Sequence, residues 1–392
     1  MFSYLIHNVI LLLSLNIFSA VRASPCVAMD IDFNLLVFGL DGKDYNAGPQ
    51  NSWTSSTPAT DISTSGRPPF DGSTTSCYLS QFDNAIYALS ADSSKPTAVY
   101  IYDATAKSWS TQSVDNSVGF DPSNFVAILD HDTDVFYALS KGELFSLDMK
   151  DLKSAQSSSL PWNDVGKTGF STANYEPVMA LAQNHIHFLD VSGLSAGQAF
   201  IFVIHFSFFQ PTAQSYPSQS GSDFPLQHGQ TASFFQKQGV QQEFAFIPDD
   251  GSTTYVVNVE TNSTQALPGP ATKDPNARYF AGITSLVQLD SQGNVAFLPY
   301  TQGDVSANSK ATWSKVTSLP TGKTTGGIAG SPNGTSTSVS GTGTPKNSGS
   351  TTGAASQATG SGANGSSSGA MGRATSVSIA VVLGMAVVVA LL

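Results

Sequence analysis

Few residues of this chain are spaced in a way that could support metal or acid–base chemistry. His185 and His187 lie two residues apart, so a β-strand would place both imidazoles on one face, where they could bind a metal. A third ligand is not evident, and His187 occupies the position that Tyr87 and Tyr137 hold in two similar segments. We therefore predict that His187 is a packed ring. His205, in a separate apolar segment, is interpreted as a strand residue with its hydrogen bonds satisfied.

A second candidate is the run of alternating carboxylates at Asp130, Asp132 and Asp134, which resembles the opening of a calcium-binding loop. Such a loop needs glycine at its sixth position, where this chain has Val135, and glutamate at its twelfth, where it has Lys141. Because the segment also joins two predicted strands, we interpret it as an exposed hairpin turn. The sequence thus predicts no metal site, no cofactor and no identifiable catalytic residue.

The composition restricts the possible partners. Charged residues make up 11% of the 392-residue chain, against about 25% in an average soluble domain, and the net charge is −11. An acidic chain without basic clusters does not match a nucleic-acid-binding surface. The surface is expected to be rich in Ser, Thr, Gly and Asn, which is common outside the cell.

Both ends of the chain carry signals for the cell surface. Residues 8–20 are mostly apolar, and the small residues that follow predict signal-peptide cleavage after Ala23. At the other end, a run of small residues, a short spacer and the 15-residue apolar tail 378–392 match a glycosylphosphatidylinositol (GPI) attachment signal. A membrane-spanning helix at either end is the competing interpretation, although both apolar stretches are shorter than the roughly 20 residues that a span needs.

The two signals divide the chain into four predicted parts. These are a signal peptide (1–23), a globular region (24–322), a stalk (323–364) and a GPI propeptide (365–392). The stalk is dominated by Ser, Thr and Gly and carries hardly any charge, so it is predicted to be disordered. Attachment of the anchor is expected at Asn364, or alternatively at Gly365 or Ser366. The lipid anchor would be the only contact with the membrane.

Two modifications are expected in the mature chain. Cys26 and Cys77 are its only cysteines, and in an oxidising compartment two cysteines usually form one bridge. This disulfide would fasten the mature N-terminus to the globular body. Asn262 and Asn333 lie in Asn-X-Ser/Thr sequons and are the expected N-glycosylation positions.

Similar segments divide the globular region into units of about 50 residues. The segment Ile86–Ser90 recurs as Phe136–Ser140 and Ile186–Asp190, in steps of 50 residues, and more loosely as Phe244–Ile247. Each is rich in β-formers, and a second apolar strand such as Val99–Asp103 follows it. About six four-stranded units stacked radially predict an all-β fold, namely a β-propeller of six blades, with seven as the alternative.

The unit from Ile86 to Trp109 resembles a kelch repeat, with an apolar strand, a loop, a tyrosine-rich strand that ends at Asp103, and the tryptophan six residues later. Leu36–Gly39 is similar to the strand that leads into the kelch double glycine, although the second glycine is missing. The resemblance is to kelch-type and galactose-oxidase-like propellers, as in fungal GPI-anchored surface proteins, and it implies a closed ring. In such a ring the segment Val27–Phe33 is expected to complete the last blade.

Propeller enzymes make demands that this sequence does not meet. Sialidase-type sites use an arginine triad to grip a carboxylate, and the globular region has two arginines, Arg67 and Arg278. Galactose-oxidase-like sites need copper and a free cysteine, whereas Cys26 and Cys77 are predicted to be paired. A glycosidase built from two of the scattered Asp and Glu residues stays open.

The sequence therefore favours a non-catalytic, GPI-anchored extracellular propeller that binds a glycan or a protein through its loops. The candidate ligand contacts are exposed-loop aromatics, because sugar rings stack on aromatic faces; these are Tyr45, Trp53 and Tyr175. The competing assignment for these rings is the hydrophobic core. A secreted carbohydrate-active enzyme and a passive structural wall glycoprotein are the alternative functions.

Overall fold

The computed structural model describes residues 23–219 and 221–321, which form a ring of six antiparallel β-sheets. Each sheet is one blade, so the predicted six-bladed β-propeller is confirmed. Apart from Ala23, the predicted signal peptide lies outside the described residues, as do the predicted stalk, the GPI signal and the sequon at Asn333.

The blades are built from consecutive strands, and the first strand of each blade is the innermost. The first blade contains β1 (Cys26–Met29), β2 (Leu35–Leu40), β3 (Lys43–Gly48) and β4 (Thr60–Asp61). The second contains β5 (Ser76–Ser80), β6 (Ala85–Leu89), β7 (Val99–Asp103) and β8 (Ser108–Gln112). The strand β9 (Val114–Asp115) follows the second blade. The third blade contains β10 (Val126–Asp130), β11 (Val135–Ser140), β12 (Glu143–Asp148) and β14 (Asn163–Lys167). Before β14, the short strand β13 (Leu160–Pro161) pairs with β9 outside the blade.

The remaining three blades follow the same plan. The fourth contains β15 (Val178–Ala182), β16 (His185–Leu189) and β17 (Gln198–Val203), with the short strands β18 (Phe208–Phe209) and β19 (Gln214–Ser215) sharing its outer position. The fifth contains β20 (Gly229–Ser233), β21 (Glu243–Pro248), β22 (Thr253–Asn258) and β23 (Ser263–Pro268). The sixth contains β24 (Arg278–Ala281), β25 (Ser285–Leu289), β26 (Val295–Pro299) and β27 (Ser314–Lys315), with the short helix α1 (Val305–Asn308) before its last strand.

The repeats were visible in the sequence because the blades bury both faces of their middle strands. In β6, Ile86 and Ala88 pack toward the first blade, whereas Ala85, Tyr87 and Leu89 pack toward the third. Side chains of a strand alternate between its two faces, so a strand between two neighbouring blades reads as a nearly continuous apolar run. The hydrophobic core is therefore a ring of apolar clusters at the interfaces between blades.

Non-glycine residues take the left-handed backbone directly after two of the repeated strands. After β6, Ser90 has a φ of +52°, and after β11, Lys141 has a φ of +51°. Lys141 and Gly142 form a two-residue turn with positive φ at both positions, which is the type I′ geometry that suits a twisted hairpin. Gln183 and Asn184 form the same kind of turn between β15 and β16.

The predicted disulfide between Cys26 and Cys77 is present and joins β1 to β5, the innermost strands of the first two blades. A disulfide fits an extracellular protein, because such bonds persist in oxidising compartments. Across residues 23–219 and 221–321, no helix has the length and apolar character needed to cross a membrane.

The predicted closure of the ring is wrong. The segment Val27–Phe33 does not complete the last blade, because β1 pairs with β2 through a tight turn in which the Asp30 carboxylate accepts from the backbone N–H groups of Asp32 and Asn34. The first and last blades instead meet by packing, without a shared strand. We call the place where these two blades meet the seam. Near it, the backbone N–H of Ser318 donates to Trp53 O at 3.1 Å, and Ser318 O accepts from Ala59 N at 2.8 Å.

Candidate functional site

A cavity of about 380 Å³ lies where the innermost strands of the six blades begin, and we call it the central cavity. Every blade contributes to its wall, from Cys26 and Val27 in the first blade to Arg278 and Tyr279 in the sixth. Hydroxyl and amide side chains form much of the lining, and they are Ser73, Thr74, Ser76, Ser90, Gln230, Thr231 and Asn276. Aromatic rings also line it, namely Tyr78, Phe125, His228 and Tyr279.

Side chains narrow the channel beyond the central cavity. A smaller cavity of about 90 Å³ has His131 and Phe235 in its wall, and their rings lie 4.4 Å apart. Phe235 also stacks on Phe280 and meets Phe33 edge-on, with ring centroids 5.8 Å apart in both pairs. Burial lowers the pKa of His131 to about 4, so this ring is neutral at physiological pH. The central cavity is therefore a pocket with a closed inner end.

Side chains in the wall tie neighbouring inner strands together. The Tyr78 hydroxyl donates to Ala127 O at 2.7 Å, and the Thr231 hydroxyl donates to Met179 O. Burial raises the pKa of Tyr78 to about 12, which keeps its hydroxyl protonated as a donor. These bonds use carbonyl groups of strands that have no further strand on their channel side. They fix the shape of the cavity before any ligand arrives.

Arg278 is the cationic residue with a permanent charge in this wall. Its Nε donates to Thr75 O at 3.1 Å, which links the sixth blade to the segment before the second. Arg278 lines both the central cavity and a side pocket of about 210 Å³, whose wall includes Ser24 and Asp290. The other basic residue, His228, holds its Nδ1 2.8 Å from an Asp249 carboxylate oxygen.

The aromatics predicted as ligand contacts lie away from the central cavity. Trp53 is 1% exposed and packs edge-on against Phe297, so the expectation of an exposed ring is wrong there. The competing core assignment describes Trp53 correctly. Tyr45 lies in strand β3, so its predicted place in an exposed loop is wrong. Tyr45 and Tyr175 are both half-buried, and the Tyr175 hydroxyl donates to Leu189 O at 2.9 Å. Their role as ligand contacts stays a prediction.

The structure confirms the prediction for His187 and corrects the one for His205. His187 is 1% exposed, with its ring centroid 5.3 Å from Phe244 and 5.7 Å from Tyr216, so it is a packed ring as predicted. Burial lowers its pKa to about 3. His205 is not a strand residue, because it lies exposed in the 3-10 turn Ile204–Phe206 and bonds Asn184 at 2.8 Å. In the described part of the chain, no three His, Cys, Asp or Glu side chains form a group that could hold a metal ion.

The alternating carboxylates form the predicted hairpin turn between β10 and β11, but the turn is not exposed. Asp134 is 2% exposed, and its Oδ2 accepts from the Ser80 hydroxyl at 2.8 Å because the turn packs against the second blade. Its Oδ1 is buried without a hydrogen-bond partner. Burial raises the pKa of Asp134 to about 7, and the nearby carboxylates of Asp83 and Asp130 raise it further.

Asp134→Asn is expected to make the stability of the propeller less dependent on pH. Folding raises the pKa of Asp134 from 3.8 to about 7, so its protonated form contributes stability that is complete below pH 3.8 and lost as pH rises through 7. The neutral amide avoids that loss. Thermal unfolding at pH 8 should show the variant melting roughly 2–4 °C above the wild type, with no gain near pH 4. An equal change at both pH values would contradict the assignment, and Asp132→Asn is the control.

Sequence reasoning missed the central cavity and its lining. Ser, Thr, Gln and Asn in segments that precede strands look like ordinary loop residues. In the sequence, Arg278 stood out only as one of the two arginines of the globular region. The predicted glycosylation residue Asn262 is exposed in the turn between β22 and β23, which gives a glycan room, and its modification stays a prediction. No protein-family model matches this chain, and a comparison with curated proteins found no match.

Proposed function

We propose that this chain is a GPI-anchored extracellular β-propeller that binds the end of a glycan in its central cavity, without catalysis. The observation that best supports this proposal is that hydroxyl and amide side chains from several blades line one pocket with a closed inner end. A volume of about 380 Å³ falls in the range of small-ligand pockets, about 300–1,000 Å³. It suits a terminal sugar better than a long stretch of polymer.

The chemistry of the wall fits a sugar ring. Sugars present hydroxyl groups at their edge and apolar C–H groups on their faces, so they need both hydrogen-bonding and aromatic partners. Gln230 and Asn276 supply amides that have no side-chain hydrogen bond within the described part of the chain. Tyr78, Phe125 and Tyr279 supply rings. A kelch-type origin of the ring, supported by Trp109 in the outer strand β8, belongs to the same proposal.

Binding is favoured over hydrolysis by the side chains that the cavity offers. Glycoside hydrolysis commonly uses two carboxyl groups on either side of the scissile bond. Among the described residues that line the central cavity, none is Asp or Glu. The anchor and the extracellular location rest on the terminal sequence signals, and the disulfide between Cys26 and Cys77 supports the location.

One experiment tests both parts of the proposal. Cells that display the full-length chain are treated with phosphatidylinositol-specific phospholipase C, and the released protein is applied to an array of immobilised glycans. We expect release into the medium and binding to a restricted set of glycans. Gln230→Ala should weaken that binding about fivefold, because it removes one neutral hydrogen bond. Gln238→Ala, which changes an exposed amide outside the cavity, is the matched control.

The two parts can fail separately. Protein that stays on the membrane and retains its C-terminal apolar tail by mass spectrometry would contradict the GPI anchor. Released protein that binds no glycan, or binds one equally well with and without Gln230, would contradict the cavity as the binding site. Glycan hydrolysis during the incubation would favour the enzyme alternative.

A further inference from the structure

The central cavity has the opposite charge to the protein as a whole. The chain carries a net charge of −11, yet no Asp or Glu is found among the described residues that line this cavity. Two basic residues, Arg278 and His228, lie in its wall instead. The charge of a protonated His228 would be offset by Asp249 at 2.8 Å, so Arg278 dominates the local field.

Arg278 is far less satisfied than the other arginine of the propeller. Arg67 holds Asp44 in a two-pronged contact, with Nε 2.9 Å and Nη2 2.7 Å from its carboxylate oxygens. Arg278 reaches only the carbonyl groups of Thr75, at 3.1 Å, and Ala277, at 3.5 Å. Among the described residues, no carboxylate lies within 4 Å of it. A guanidinium has five N–H donors, so most of this fork stays available.

The nearby acidic residue does not neutralise Arg278 by contact. The charge of Asp274 acts on the guanidinium without a salt bridge, and its carboxylate accepts from the backbone N–H groups of Asn276, at 2.9 Å, and Ser291, at 2.6 Å. Burial lowers the pKa of Arg278 below its ordinary value, which is the mark of a cation withdrawn from water. Arginine nevertheless stays charged. A half-buried cation without a contacting anion is costly and favours a ligand that supplies one.

The surroundings of Arg278 define what kind of anion fits. Ser73 and Asn276 line both the central cavity and the side pocket, as Arg278 does, so all three lie where the two spaces meet. Neither the Ser73 hydroxyl nor the Asn276 amide bonds another side chain within the described residues. A planar guanidinium matches a carboxylate through two parallel bonds, and the adjoining hydroxyl and amide match sugar hydroxyl groups.

We propose that the glycan bound in the central cavity ends in an acidic sugar, whose carboxylate is held by the guanidinium of Arg278. This inference rests on the proposed glycan-binding function and names its ligand class. A single positive charge without a contacting carboxylate matches a monoanionic carboxylate ligand. A phosphate dianion would call for a second cation, and the paired His228 does not provide one.

The test compares acidic sugars with their neutral counterparts on the full-length protein. Glucuronate and galacturonate are titrated calorimetrically beside glucose, galactose, inorganic phosphate and glucuronamide, in which a neutral amide replaces the carboxylate. We expect the uronates to bind about 10- to 100-fold more tightly than glucuronamide, because a hydrogen bond to a charged partner adds that much. Arg278→Gln should reduce this ratio to near one. Lys310→Gln, which removes the same charge from an exposed position, should preserve the ratio.

Each result has a defined consequence. Uronate preference that survives Arg278→Gln would overturn the role of Arg278, and tighter binding of phosphate than of uronate would overturn the ligand class. Neutral sugars that bind with dependence on Gln230 but without any uronate advantage would overturn this inference and leave the proposed function standing. Failure of every sugar to bind would overturn both. If Arg278→Gln does not fold, the comparison of glucuronate with glucuronamide on the wild type decides the question.

Discussion

Replacing Cys26 and Cys77 together by alanine is expected to destabilise the propeller by about 4 kcal/mol. The bridge joins residues 51 positions apart, and the chain-entropy model assigns about that much to a loop of this length in the unfolded state. The melting temperature should fall by roughly 8 °C, at about 2 °C for each kcal/mol in a large domain. Thermal unfolding of the full-length chain, followed by circular dichroism, measures the change. Far-UV signal at low temperature should persist, since the apolar clusters between the blades stay in place.

Reductant supplies the control for this prediction. It should lower the melting temperature of the wild type by a similar amount and leave the double variant unchanged. Oxidised and reduced wild type that melt together would show that the bridge adds no stability. A variant that melts well below the reduced wild type would instead point to lost packing around Cys26, which is 1% exposed in the first blade.

The fold was predictable because its repeating unit leaves a local record. Strands such as β16 are buried on both sides by neighbouring blades, and that burial requires a run of apolar residues in each blade. The way in which the ring of blades closes leaves no such pattern in the sequence. The apolar residues of Val27–Phe33 indicate a strand, but periodicity does not say which strand it pairs with. The turn at Asp30, with Asn34 following, was the available signal for a local hairpin.

The candidate site was much less predictable than the fold. Its walls come from segments that are far apart in the sequence. Ser73, for example, lies in the segment before the second blade, and Asn276 lies in the segment before the sixth. Small polar residues of this kind carry no motif. The aromatic signal misled for the same reason, because burial depends on tertiary packing that residue type alone does not specify. Asp134 is the opposite case. It is an acidic residue in a turn, so it was expected to be exposed, but packing against a neighbouring blade buries it.

Trp53 shows what the closing seam needs in place of a shared strand. A 3-10 turn at Gln50–Ser52 folds the indole back, where its Nε1 donates to Gly48 O at 2.8 Å. The ring then meets Phe297 of the sixth blade edge-on, with centroids 5.0 Å apart. Its own carbonyl accepts from Ser318 N, so the residue joins both sides of the seam.

Trp53→Ala is therefore expected to cost about 3–5 kcal/mol, the usual range for removing a buried tryptophan, and to lower the melting temperature by roughly 6–10 °C. Trp313→Ala is the matched control, because that indole is only half-buried and donates to Pro268 O at 3.2 Å within the outer part of the ring. Its loss should cost about 1–2 kcal/mol, for one hydrogen bond and the half-buried ring that packs against the cluster between the fifth and sixth blades. Equal destabilisation by the two changes would show that the seam does not depend on Trp53. A Trp53→Ala protein with unchanged stability and lost glycan binding would restore the ligand-contact role that its burial argues against.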